Sequence, residues 1–257
     1  MRLSIPIYVT LTSIYQNQDV LCKTLKSILG QTILPNCIYV YLSKDAYLLD
    51  SGFKDNQITN EDLRELIKSN SLIQIQWVDN IGPYRKLLPL LQDKWNEDCI
   101  LITIDDDTEY HPNLIKNMTA DYEKQQCVIN YRGFSPRLTH LHEFDYTNRQ
   151  SIIHKWLYNF PTGKGGCLYH PKFFHKSGDL IFNKNIYLNH CKTADDVWFY
   201  LIRIINQIPC YINNTTFEIH DNTTKYSLFR NYNSANNQNT TTLHDCIIVL
   251  ELLNLSF

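Results

Sequence analysis

None of the chain's eight cysteines is spaced as C-x-x-C, which argues against a zinc site. They are scattered singly, several inside apolar runs such as "CILITI" (99–104) and "CIIVL" (246–250). A reduced thiol behaves there as a small hydrophobe, so a reducing compartment is expected. An excess of positive charge is missing too. Lys and Arg total 24 against 26 for Asp and Glu, a net charge of -2, which offers no electrostatic footprint for nucleic acid or an anionic membrane. No window reaches the roughly eighteen uninterrupted apolar residues of a membrane span. The opening "MRLSIPIYVTLTSIY" lacks the apolar stretch of a secretory signal and alternates like a first strand. The phosphate-loop pattern G-x-x-x-x-G-K-[ST] is absent. Glycine is scarce, eight residues in 257, yet Gly163, Gly165 and Gly166 crowd around Lys164.

What is present is enough apolar material for a sizeable core, 44% of the chain, and one domain is expected over 1–257. Strand-like and helix-like pieces alternate through the first half. "LSIPIYVTL", "CIYVYLS", "LIQIQWV" and "CILITI" read as strands. "DVLCKTLKSILG", "TNEDLRELIKSN", "YRKLLPLLQDKW" and "HPNLIKNMTADYEK" read as helices. That rhythm predicts an α/β fold, a mainly parallel sheet flanked by helices. After "CVINYRGF" the rhythm stops, and residues 135–185 show no sustained period. A helix returns at "TADDVWFYLIRIINQI", and "CIIVLELLNLSF" reads as a final packing helix. The expected plan is a nucleotide-binding half, 1–132, and an irregular, site-building half, 133–257.

The fourth strand ends in Asp105, Asp106 and Asp107, three adjacent carboxylates whose repulsion grows with burial. In open α/β sheets, ligands bind outside the carboxyl ends of the strands. In extended geometry Asp105 and Asp107 share a side and Asp106 faces the other. Two such carboxylates suit Mg²⁺ or Mn²⁺. The alternative is a solvated turn. A calcium loop does not fit, because Tyr110 stands where the tight-turn glycine belongs. Three further places draw attention. "WVDNIGPYRKLLPLL" sets Arg85 and Lys86 in the first turn of a helix, where cations oppose the helix dipole unless an anion lies close. The glycines of "NFPTGKGGCLYHP" let backbone approach a ligand, or simply make a flexible loop. In "NHCKTADDVWFYLI", Thr193 can cap a helix whose first turn holds Asp195 and Asp196, as dipole partners or with one acting as a general base.

Together these motifs, with "SILGQTILP" and "VTLTSIYQN", make the chain resemble the GT-A-fold glycosyltransferases, and among them the inverting family 2 and its polysaccharide-locus relatives. The resemblance covers most of the chain and implies a nucleotide-diphosphate sugar donor, expected to be a UDP-sugar. The acceptor would be a glycan or a lipid-linked or protein-linked hydroxyl. By that resemblance Thr10, Thr12 and Ser13 lie near the nucleoside, Asp79 and Asn80 near base or ribose, and Lys86 near the diphosphate. Asp105 and Asp106 belong to the donor site. Asp107 coordinates the metal, Mn²⁺ or Mg²⁺, with Asp105 and with His220 in "FEIHDNT" as further ligands. Gly165 and Gly166 line the sugar pocket. Asp196 is the general base, with Asp195 as the alternative. Trp156, Tyr158 or Phe160 of "HKWLYNF" would offer a platform for a sugar ring, or pack in the core.

Two other readings stay open. A sugar-nucleotide nucleotidyltransferase shares the layout, but its glycine-rich, basic opening loop is absent from "VTLTSIYQN". A GT-A-like module that binds glycans or nucleotides without turnover would not need both Asp107 and Asp196. The expected setting is cytoplasmic and peripheral to a membrane-bound assembly, with no nucleic-acid partner and no membrane span.

Overall fold

The computed structural model describes residues 5–234 and 237–255. The expected first strand at Leu3 and Ser4, and the end of the last helix at Ser256 and Phe257, lie outside the described residues. The first half follows the anticipated alternation. Strands β1 (Ile7–Thr12), β2 (Cys37–Leu42), β3 (Ile73–Trp77) and β4 (Ile100–Thr103) are parallel, in the spatial order β3-β2-β1-β4. Helix α1 (Gln18–Leu29) buries Leu21, Leu25 and Ile28 and stops at Gly30, as its sequence predicts. Helix α2 (Glu61–Ser69) is capped by Asn60, whose side-chain oxygen accepts from the Leu63 N–H at 2.7 Å.

"YRKLLPLLQDKW" departs from the expected helix. Residues Gly82–Lys86 form a 3₁₀ turn, and a separate α3 covers only Leu88–Asp93. Pro89 lies in the first turn of α3, the position proline tolerates, so it opens the second helix rather than sitting inside one long one. Arg85 and Lys86 therefore close the 3₁₀ turn, and the dipole conflict read from the sequence does not arise.

After Asp107 comes a short strand, β5 (Thr108–Tyr110), and then α4 (Leu114–Gln125). "CVINYRGF" is two strands, β6 (Val128–Asn130) and β7 (Gly133–Pro136), which belong to different sheets. The aperiodic segment holds four short strands: β8 (Arg149–Gln150), β9 (Lys155–Trp156), β10 (Phe160–Pro161) and β11 (Cys167–Tyr169). A long 3₁₀ run over Pro171–Phe182 leads to α5 (Lys184–His190) and α6 (Asp195–Ile205). Strands β12 (Cys210–Ile212) and β13 (Glu218–Asp221) and helix α7 (Gln238–Leu252) complete the chain.

One eight-stranded sheet, ordered β3-β2-β1-β4-β11-β6-β12-β9, joins both halves. Strand β11 runs antiparallel to β4, with Cys167 opposite Thr103. Its N-terminal end therefore meets the carboxyl end of β4, which carries the 163–166 turn to the aspartates. Helix α6 is the most buried helix: from Val197 to Ile205 every side chain is inside. Trp198 donates from its indole N–H to the Ile181 carbonyl at 2.9 Å, and the buried Arg203 guanidinium donates to the Asn159 carbonyl at 2.8 Å. The first turn of α6 is thus held by a rigid core. All eight cysteines are free. Among the described residues, no helix is long and apolar enough to cross a membrane.

Candidate active site

A cavity of about 530 Å³ opens at the carboxyl ends of β1 and β4. Strand register explains why those ends coincide: Thr10 pairs with Thr103, and the Ile104 N–H donates to the Thr10 carbonyl at 3.1 Å. The three aspartates leave that edge in three directions. Asp105 accepts from Lys86 Nζ at 3.0 Å. Asp106 turns back beneath the loop after β1, where the Ser13 hydroxyl and Asn17 Nδ2, the latter at 3.2 Å, donate to one of its oxygens. Asp107 faces Lys164, Asp221 and Thr223, and its carbonyl accepts from the Asn222 N–H at 2.8 Å. The strand ends at Thr103 and the chain turns at these residues, so each aspartate has its own set of partners.

Lys86 is the positive charge the aspartates call for. Its ammonium lies 3.0 Å from Asp105 and 3.0 Å from Asp195. Burial disfavours this ammonium, but Asp105, Asp195 and Asp196 outweigh it and hold its pKa well above the ordinary value. The Lys86 carbonyl accepts from the Thr10 hydroxyl at 2.6 Å, so Thr10 braces the turn from beneath the cavity. Gly163 is what lets these groups meet. A Cβ there would lie 2.7 Å from Lys86 Nζ, 3.1 Å from Asp105 Oδ1 and 3.2 Å from Asp196 Oδ1.

The acidic pair of α6 divides its work. Asp195 is buried and tied to Lys86. Asp196 is half-buried and receives only the Gly163 N–H, at 3.1 Å. Burial and the neighbouring Asp195, opposed by Lys86, push Asp196 up to about 7. The same balance acts at the strand end. Burial and Asp107 push Asp106 up to about 7, while burial and Asp105, opposed by Lys164, push Asp107 up to about 6. The site holds more negative charge than its own cations neutralise. Thr193, expected as the helix cap, instead donates to Asn233 Oδ1 at 2.7 Å, and Ala194 occupies the cap position.

Other anticipated residues sit apart from the cavity. Asp79 is exposed, and Asn80 donates to the Asp45 carbonyl at 2.7 Å and to Asp50 at 3.1 Å, bracing a loop. Thr12 and Ser13 line the cavity, but Gly165 and Gly166 do not; Gly165 packs on the Arg132 backbone and Gly166 supplies a turn at φ 75°. His220 is exposed on β13, and its neighbour Asp221 lines the cavity, paired with Lys164. Of the aromatic platform, Phe160 is core, stacked on Phe134 and packed on Tyr200, and neither Trp156 nor Tyr158 lines the cavity. Tyr47, Tyr146 and Phe229 do.

Sequence reasoning missed the Arg85–Asp50 pair, 3.0 Å apart with both side chains 1% exposed. Both residues line the cavity, and Arg85 Nη1 is a buried donor without a protein partner. The signal in the sequence was only a basic dipeptide, because its partner lies 35 residues away. Gly163 and Lys164 were marked only as part of a glycine-rich segment with no role of their own, and Asp221 and three further arginines were not marked at all.

Hard carboxylate oxygens are the right donor chemistry for Mg²⁺ or Mn²⁺. Among the described residues, no three His, Cys, Asp or Glu side chains converge to hold a metal ion unaided. The set fits an ion that takes one or two carboxylates and completes its shell with phosphate oxygens and water.

No family model matches the sequence, and no curated protein matches it at the sequence level. Solved structures do share its fold. S. aureus TarS 1–349 in complex with UDP-GlcNAc aligns with a TM-score of 0.59 at 13% identity, covering 98% of this chain and 68% of that one. The same fragment in complex with UDP gives 0.53 at 14% identity, covering 83% and 59%. In that second alignment the chain spans about three fifths of the fragment's length. The likeness establishes the fold as GT-A, matching the expected fold class.

Proposed function

We propose that this protein is an inverting glycosyltransferase that moves a sugar from a nucleoside-diphosphate donor, a UDP-sugar, to a hydroxyl of a glycan or other acceptor. The observation that carries it is Asp196, an unpaired carboxylate pushed up to about 7, in the same cavity as Lys86 and the aspartates of β4. A base with a pKa near working pH is the best compromise between being deprotonated and accepting a proton. TarS was crystallised with UDP and with UDP-GlcNAc; an equivalent donor suits this cavity.

The nucleoside end takes the slot beside Thr12, Ser13 and the Arg85–Asp50 pair, where Arg85 Nη1 has a hydrogen bond to give. The diphosphate lies toward Lys86 and the edge of β4. A divalent cation bound by Asp107 and the diphosphate would stabilise charge on the leaving group. Lys86 and Lys164 add fixed positive charge beside the departing phosphate. Asp196 takes the proton from the acceptor hydroxyl as its oxygen attacks the anomeric carbon from the face opposite the leaving group. The Gly163 N–H orients that carboxylate. Residues 1–132 and 133–257 act as one domain, supported by the sheet they share.

The test is a panel of nucleotide sugars assayed for nucleoside-diphosphate release with and without Mn²⁺. One donor should be cleaved in a metal-dependent way, and Asp107→Ala should lose that dependence. Asp196→Asn should still bind this donor but transfer at least about a hundredfold more slowly, the scale of a lost general base. Wild-type transfer should rise as pH passes through about 7. If no donor binds or turns over, the reading is wrong.

A further inference from the structure

Four of the chain's eight arginines line this one cavity: Arg85, Arg132, Arg149 and Arg230. Arg85 has its buried carboxylate. The other three are exposed, and among the described residues none of them is paired with an acid. Carboxylates line the same cavity, so these guanidiniums bring positive charge to it that no acid among the described residues takes up.

Their placement says which part of the reaction they face. Tyr146 lines the cavity together with Asp196, and Arg132 donates to Thr162, the neighbour of Gly163, whose N–H donates to Asp196 at 3.1 Å. Arg132 is thus one residue removed from the backbone that orients the base, and Arg149 stacks on a ring of the same cavity. Arg149 is held ready, its guanidinium 4.0 Å from the Phe134 ring centroid and 5.2 Å from that of Tyr146, with Nε donating to the Tyr146 carbonyl at 3.1 Å. That leaves its terminal nitrogens free. Arg132 spends one nitrogen on the Thr162 hydroxyl at 3.2 Å. Beside them is Asn239, 8% exposed, whose Oδ1 is a buried acceptor without a partner among the described residues. A stacked guanidinium keeps its planar fork for an oxyanion, and little side-chain entropy remains to be lost on binding.

We propose that Arg132 and Arg149, with Arg230 lining the same cavity, form an anion subsite for the acceptor, which carries a phosphate ester or carboxylate next to the hydroxyl that receives the sugar. This rests on the glycosyltransferase reading. Asn239 then accepts from a second acceptor hydroxyl, and the bound anion fixes the reacting hydroxyl against Asp196. The diphosphate of the donor is handled by Lys86 and the strand-end aspartates.

Matched acceptors test this with the donor that wild-type protein hydrolyses: a sugar phosphate against its neutral parent, and a uronic acid against its parent hexose. The anionic member of one pair should be used at least about tenfold better in kcat/KM, and salt should shrink that preference. In Arg132→Gln/Arg149→Gln the preference should fall below about threefold, while Arg149→Lys keeps part of it, as a charge without the fork would. Equal use of both members overturns the inference, and so do variants that raise the donor KM while the preference survives. Separately, inorganic phosphate is titrated calorimetrically into wild type and the double variant. Binding lost in the variant supports the subsite; no binding to wild type overturns it whatever the transfer assay gives. Absence of donor hydrolysis by wild type would count against the glycosyltransferase reading alone.

Discussion

At the scale of the residue, Gly163 shows how a site can depend on an atom that is missing. Lys86 is fixed between Asp105 and Asp195, and the backbone of residue 163 fills the gap between them and Asp196. Gly163→Ala puts a methyl group 2.7 Å from the ammonium. Lys86 must then leave one carboxylate, and Asp196 loses its alignment. Misplacement of about 1 Å can cost a hundredfold in rate, so we expect this variant to lose at least about tenfold in kcat and to stay folded. Steady-state kinetics with circular dichroism as the folding control checks it; a kcat within twofold of wild type would count against the described role of Gly163.

At the scale of the element, the 3₁₀ turn 82–86 is the piece on which the donor side is built. It is pinned by Arg85, which reaches Asp50 at 3.0 Å, the Gly82 carbonyl at 3.1 Å and the Ser13 carbonyl at 3.5 Å. Asp50 in turn accepts from the Tyr15 and Gly52 N–H groups at 3.1 and 3.0 Å. One buried ion pair thus joins three loops. Removing one partner leaves a buried charge uncompensated, which costs about 3–5 kcal/mol. Asp50→Ala should show that loss in urea unfolding, with donor affinity weakened as well. Loss below about 1 kcal/mol would mean that water replaces the carboxylate without difficulty.

At the scale of the whole molecule, the surplus of acid in the cavity makes stability depend on pH. Burial and neighbouring carboxylates push Asp106, Asp107 and Asp196 up to about 7, 6 and 7 from the ordinary 3.8. The folded state therefore binds more protons than the unfolded state between those limits, and its stability falls as pH rises from about 4 to about 7. Asp195 is raised as well, by burial first, and His170, lowered first by burial, works in the other direction. Asp221 would be raised by burial, but Lys164 and Thr223 hold it well below the usual carboxylate range, so it acts at lower pH. We expect metal-free protein to melt at lower temperature at pH 7.5 than at pH 5.5, and Mn²⁺ to recover the difference at pH 7.5 by binding the folded state. Thermal scans with and without chelator decide it. A midpoint that rises with pH would contradict the charge surplus.

Local patterns in the sequence were enough for the α/β class, the four parallel strands and helices α1, α2 and α6. Apolar period, cap residues and strand composition act between near neighbours along the chain. They were enough, too, to mark the carboxylates of β4 and α6 as candidates, because runs of adjacent like charge at element ends are rare without a partner. The partner itself was decided by tertiary structure. Lys86 is 109 residues from Asp195, and Gly163 comes between them only because β11 runs antiparallel to β4. Nor does local pattern say that "CVINYRGF" divides between two sheets, or that Asp50 reaches Arg85. Such facts belong to strand order and loop closure, which pair residues far apart. The cluster of acids, Lys86 and Lys164 among them and the arginines of the same cavity exist only once the sheet has brought its two halves together.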